Sequence, residues 1–111
     1  MRENRPVAVR RLRLKLATEV RTPVPLGEAR SALWMERCRK EKIACNAKHW
    51  DYPALIAEAL DMLAACSWDG RKAAVRLCTT TSQLVKLLQQ HPPALAVWNE
   101  QREAMGKGKL K

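Results

Sequence analysis

Apolar positions recur most regularly between Asp51 and Gly70, where Leu55, Ile56, Ala59, Leu60, Leu63 and Ala64 follow the three-and-four spacing of one helix face. Asp51 or Tyr52 can cap this helix, Pro53 suits its first turn, and Asp69-Gly70 reads as its stop. About two helical turns follow from Arg71 to Leu77, and the run Cys78-Thr79-Thr80-Thr81 interrupts the pattern, because Thr caps well and propagates poorly. The pattern resumes from Ser82 to Gln90 with Leu84, Leu87 and Leu88 inward, and His91 ends it ahead of Pro92-Pro93. Pro93 then opens a last helix through Met105, with Leu95, Val97 and Trp98 for packing and Gly106 as stop.

Upstream, residues 28–41 read as a helix starting after Gly27, and Thr22-Pro23-Val24-Pro25 as an extended connector. In the first segment Val9, Leu12, Leu16 and Val20 form one helical stripe, expected to face inward. Arg11 to Leu16 also alternates like a strand, but Ala, Leu, Arg and Lys dominate, which favours helix. The pattern therefore predicts an all-α fold, a compact bundle of five to six helices containing a helix-turn-helix. It divides into a basic N-terminal helix (1–21), a connector and charged helix (22–50), a helix-turn-helix-like helical domain (51–106) and a mobile basic tail (107–111).

Composition narrows the class. The chain has 111 residues, 47% hydrophobic and 29% charged, which excludes a disordered or collagen-like polymer and leaves length for one core. It contains no apolar run of about 20 residues, and the start lacks the apolar stretch of a secretory signal. Cys38, Cys45, Cys66 and Cys78 show no tight spacing and read as reduced thiols of a cytoplasmic protein. The 21 basic and 11 acidic residues give a net charge of +10. Residues 1–21 contribute +5, 22–50 add +3, 51–70 subtract 4 and 71–111 add +6. Two basic blocks around an acidic, apolar one suggest a structural middle with contacting ends, and a polyanion partner, nucleic acid before membrane.

Residues 53–90 have the layout of a helix-turn-helix. Ala74 is the small residue where the next helix crosses, Leu77 the apolar closure, and Leu84 and Leu87 the inward residues that follow. Cys78 stands where Gly commonly turns the chain, and Thr79 where an aliphatic residue usually plugs the turn. The stretch resembles the Fis-type helix-turn-helix, which implies a reading helix with Ser82, Gln83, Lys86, Gln89 and Gln90 outward; Gln suits adenine, and Lys suits guanine or phosphate. The N-terminal cluster is the stronger electrostatic candidate. Arg10, Arg13 and Arg21 share a helical azimuth, with Arg11 and Lys15 flanking it, opposite the Val9–Leu12–Leu16 stripe, and guanidinium forks suit phosphate oxygens. A solvated face, an amphipathic membrane-surface helix and a transit peptide compete with this, the last disfavoured by Glu3 and Glu19. The expected nucleic-acid-binding residues are Arg5, Arg10, Arg11, Arg13, Lys15, Arg71, Lys72, Gln83 and Lys86.

Asn4, Arg5, Ala8 and Leu12 match a Q-x-x-N-(K/R)-x-x-A-x-x-x-L pattern, and Asn46, His49, Asp51, Tyr52 and Trp68 match N-x-x-H-x-D-Y followed by a helix ending near a Trp. With the segments from Thr81 to Lys86 and from Trp98 to Arg102, the chain resembles the C-terminal region of class I peptide chain release factors and their stand-alone bacterial relatives. The chemistry of that family lies in a Gly-Gly-Gln loop that helps hydrolyse peptidyl-tRNA, and this chain contains no Gly-Gly pair. The resemblance therefore implies a ribosome-facing tail without the catalytic core, a basic helix lying on ribosomal RNA, a helical appendage, and a part in translation termination without catalysis.

No glycine pattern for dinucleotides or phosphate loops is present. Cys38, Cys45 and His49 match no common zinc spacing, so neither metal nor cofactor is expected. His49 reads as a polar residue beside Asp51 at a helix start, and His91 as a helix terminus. With no Phe and one Tyr, the four Trp are expected to supply core bulk. The expectation is a non-enzymatic RNA- or ribosome-binding module, with no small-molecule substrate and no membrane partner. A Fis-type DNA-binding regulator and a protein-interaction module are the alternatives, and the oligomeric state stays open.

Overall fold

A computed structural model describes residues 5–25 and 29–106, with side chains in the first helix from Ala8 onward. Asn4, the Arg5 side chain and the 107–111 tail lie outside the described residues. The described residues form six helices, α1 (Arg5–Glu19), α2 (Ala32–Arg37), α3 (Tyr52–Ala65), α4 (Gly70–Arg76), α5 (Thr81–Gln89) and α6 (Pro92–Ala104). One antiparallel hairpin, β1 (Cys38–Arg39) with β2 (Lys42–Ile43), pairs Cys38 with Ile43 and Arg39 with Lys42. The fold is mostly helical, as the apolar spacing predicts.

The acidic, apolar middle of the chain becomes the centre. α3 buries Leu55, Ile56, Ala59, Leu60, Met62 and Leu63, and α1, α2, α4, α5 and α6 all pack against it. Three buried polar tips are satisfied by carbonyls on neighbouring elements, as buried donors require. Trp34 Nε1 donates to Leu77 O at 2.8 Å, the Tyr52 hydroxyl to Leu87 O at 2.6 Å, and Trp98 Nε1 to Trp68 O at 3.3 Å. Ala17 of α1 and Trp34 of α2 belong to the same core cluster as α3 to α6, so the N-terminal segments pack on the later helices.

Several boundaries depart from the sequence reading. α3 stops at Ala65, because Ser67 and Trp68 take left-handed φ of 55° and 63°, and Trp68 N–H closes back on Leu63 O at 2.6 Å. Asp69 instead caps α4, accepting from Arg71 and Lys72 N–H. Gly70 opens α4 with no room for a side chain, since a Cβ there would fall 2.8 Å from Trp98 Cζ2. Thr80 caps α5 by accepting from Gln83 N–H. Cys78 does turn the chain as a glycine would, at φ 55°.

Two expectations fail outright. The helix expected over 28–41 is confined to Ala32–Arg37, and the charged run after it becomes the hairpin. Lys40 and Glu41, at φ 52° and 67°, form a left-handed two-residue turn of the kind that matches strand twist. Long-range packing overrides helix propensity here: Cys38 and Ile43 sit against the core, and Thr79 holds the Glu41 carbonyl. The second failure is the facing of α1. Val9, Leu12, Leu16 and Val20 are 37, 56, 51 and 53% exposed, whereas Ala17 and Thr18 are buried. The helix docks through this small-residue side and through its arginines, turning the apolar stripe to solvent.

Candidate nucleic-acid interface

The segment 43–50 crosses the molecule as a strap held from two helices. On the α5 side, Gln83 Oε1 accepts from Ile43 N–H at 3.1 Å and Gln90 Oε1 from Ala47 N–H at 2.8 Å, while Gln90 Nε2 donates to Cys45 O at 3.2 Å. On the α1 side, Arg10 donates to the carbonyls of Ala47 and Lys48, the latter at 3.0 Å. Arg13 donates to Trp50 O at 2.8 Å, and its guanidinium lies 4.4 Å from the centroid of the Trp50 ring. Charge-assisted bonds to carbonyls are the stronger kind, so two arginines hold down a segment that has little secondary structure of its own.

At the end of the strap, Asp51 is ion-paired to Arg37 at 3.0 Å, and its N–H donates to His49 Nδ1 at 3.1 Å. His49 is therefore a polar residue beside Asp51 at the start of α3, as its position predicts. Trp34 and Trp98 are fully buried and Trp68 partly so, in keeping with a core role, but Trp50 is 53% exposed and departs from it.

The residues expected to contact nucleic acid have divided fates. Arg10 and Arg13 grip the protein's own strap, and Gln83 accepts a backbone bond from it. Arg21, expected on the same helical azimuth, lies just beyond the end of α1, where it donates to Ala17 O and pairs with Asp61 at 3.4 Å. Burial lowers the Arg21 pKa and raises that of Asp61, in each case outweighing the opposite charge beside it. Arg11 and Lys15 are exposed on another side of α1, along a groove of about 310 Å³ shared with His91 and Pro93. Lys86 is exposed on α5, one turn from each of the two strap-holding glutamines. Arg71 and Lys72 are exposed on α4, in a separate groove of about 580 Å³ with Cys66, Val75 and Arg76.

The strap brings two further cations to this region that the sequence reading left out. Lys42 immediately precedes it, Lys48 lies within it, and both are exposed. Among the described residues, the side chains of Lys15, Lys42, Lys48, Lys86, Arg71 and Lys72 make no hydrogen bond or ion pair. The tripeptide Lys48-His49-Trp50, basic beside aromatic, was the available signal for this part of the surface.

Burial pushes the Cys38 and Cys45 thiols and the Tyr52 phenol up, so they stay protonated at neutral pH. Among the described residues no three His, Cys, Asp or Glu side chains converge as a metal site would require. No helix there is long and apolar enough to cross a membrane. Comparison of the chain with protein-family models, curated proteins and solved structures finds no match.

Proposed function

We propose that this chain is a non-catalytic RNA-binding module that docks on ribosomal RNA, in the manner its resemblance to the C-terminal part of release-factor-like proteins implies. One observation carries the reading: Lys42 just ahead of the strap, Lys48 on it and Lys86 on the helix that seats it are all exposed, with no partner of their own among the described residues. A positive surface left uncompensated costs stability through self-repulsion, and a polyanion relieves it. Arg10 and Arg13 then act behind the contact, holding the strap, while the lysines meet phosphate. Fis-type readout of a DNA groove fits less well, because Gln83 and Gln90 are already engaged and leave Ser82, Lys86 and Gln89 outward on α5.

The test is binding to purified ribosomes and to ribosomal RNA fragments across a salt series. Three lysine–phosphate contacts on single-stranded RNA give a log–log slope of about −2. Binding that is absent, or indifferent to salt, overturns the reading, and sequence-selective duplex DNA binding that survives competitor replaces it.

A second reading, self-association, is favoured by the exposed Val9–Leu12–Leu16–Val20 face of α1. Paired antiparallel with a second copy, Val9 opposes Val20 and Leu12 opposes Leu16, and Glu19 comes beside Arg11. A concentration-dependent rise in mass that Leu12→Lys abolishes supports it, and a monomer at high concentration excludes it.

A further inference from the structure

We infer that Trp50 is a stacking platform for one unpaired nucleobase of a single-stranded RNA segment, with the strap lysines holding the phosphates on either side. The inference rests on the RNA-binding reading and adds the chemical class of its ligand.

Trp50 stands apart from the other tryptophans. Trp34 and Trp98 are fully enclosed and hydrogen-bonded, whereas Trp50 leaves about half its surface in water, 53%. The Arg13 guanidinium covers one part of the ring, 4.4 Å from its centroid. A ring so covered keeps half its residue surface open only if much of the remaining π surface faces solvent.

That surface is also fixed in orientation. Arg13 both stacks on the Trp50 ring and donates to the Trp50 carbonyl, so one guanidinium holds ring and backbone together. The backbone just before it is held by Arg10 at Ala47 and Lys48, and by Gln90 at Cys45 and Ala47. A flat ligand therefore meets a preorganised ring, and little entropy is lost in ordering it.

The surroundings select among flat ligands. Lys48 is two residues away and unpaired among the described residues, with Lys42 and Lys86 farther along the strap and α5. The one carboxylate adjacent in sequence, Asp51, is neutralised by Arg37 at 3.0 Å. A cationic ligand is disfavoured because Arg13 already supplies the positive charge at the ring. An aromatic ring amid lysines is the arrangement that takes a base on its face and phosphates at its edges. A duplex offers no free base face within its length, so the preference is for single strands.

The experiment uses the full chain, a labelled oligoadenylate of about 12 nucleotides, a blunt RNA duplex of the same length and a polyglutamate peptide. Anisotropy reads affinity, and intrinsic tryptophan emission reads stacking. The single strand is expected to quench the wild-type emission and the duplex to leave it nearly unchanged. Trp50→Ala is expected to lower single-strand affinity about tenfold with the salt slope unchanged and the quench gone, and Trp50→Phe to restore most of the affinity. Far-UV circular dichroism should be the same for all three, since Trp50 is outside the core.

Wild-type affinity and quench in Trp50→Ala, with RNA still bound in a salt-dependent way, overturn the inference and leave the RNA reading standing. Equal quenching by the duplex or by polyglutamate also overturns it. Failure of the wild-type chain to bind any RNA removes the RNA reading, and this inference with it.

Discussion

The Thr79 hydroxyl donates to the Glu41 carbonyl oxygen at 2.6 Å, joining the turn between α4 and α5 to the tip of a hairpin 38 residues earlier. Thr79 is nearly buried, at a position where a helix-turn-helix would carry an aliphatic plug, and it uses its hydroxyl to steady a turn made from Lys40 and Glu41 at positive φ. Thr79→Val keeps the volume and removes the bond. It should cost about 1 kcal/mol in chemical denaturation, and proteolytic nicking should increase at the hairpin. Unchanged stability and nicking would show that the hairpin is held some other way.

Cys78 is exposed and left-handed at φ 55°, so its side chain contributes little packing and its backbone carries a penalty. Cys78→Gly should therefore raise stability by about 1 kcal/mol, as a higher urea midpoint at constant slope. A lower midpoint would mean that flexibility gained in the unfolded chain outweighs the relief.

Gly70 presents the opposite case, in which space decides. A Cβ would meet Trp98 Cζ2 at 2.8 Å and Thr81 Cγ2 at 3.0 Å. Gly70→Ala should destabilise by about 1–3 kcal/mol, despite alanine's better helix propensity, and change the near-ultraviolet signal of Trp98. A neutral result would mean that α6 shifts away without loss.

Burial lowers the His91 pKa at the start of α6. Above about pH 6.5 the ring is neutral in both folded and unfolded chains and has no effect on stability. As pH falls below that value the unfolded chain takes up the proton first, so folding weakens until the folded pKa is passed. His91→Asn, which removes the titrating ring from a position where it makes no capping hydrogen bond, should flatten the stability profile below about pH 6.5. An equally steep profile would assign the slope to other groups.

The helices of the second half were legible because their signals are local. Pro53, Asp69, Thr80 and Pro92 lie at or next to the ends they define, and Leu55 to Leu88 repeat at helical spacing. The rotation of α1 was not legible, because apolar spacing locates a stripe without saying whether it finds a partner. The partners of Arg10 and Arg13 are carbonyls 37 or 38 residues away. The hairpin was hidden for a similar reason, since its turn lacks Gly or Asn and its support comes from Thr79. Of the candidate site, the basic character and Lys86 were visible, whereas Lys42, Lys48 and Trp50 acquire meaning only when Gln83 and Gln90 seat the strap on α5.

RNA affinity across a salt series separates the two kinds of cation in the account. Lys42, Lys48 and Lys86 replaced together by Ala should weaken binding and make the log–log slope about 2 shallower than wild type, at three contacts of roughly 0.7 each. Arg71 and Lys72 replaced by Ala should leave the slope unchanged, since they line a different groove. A triple variant with the wild-type slope, or an Arg71/Lys72 variant that loses it, would contradict phosphate binding along the strap.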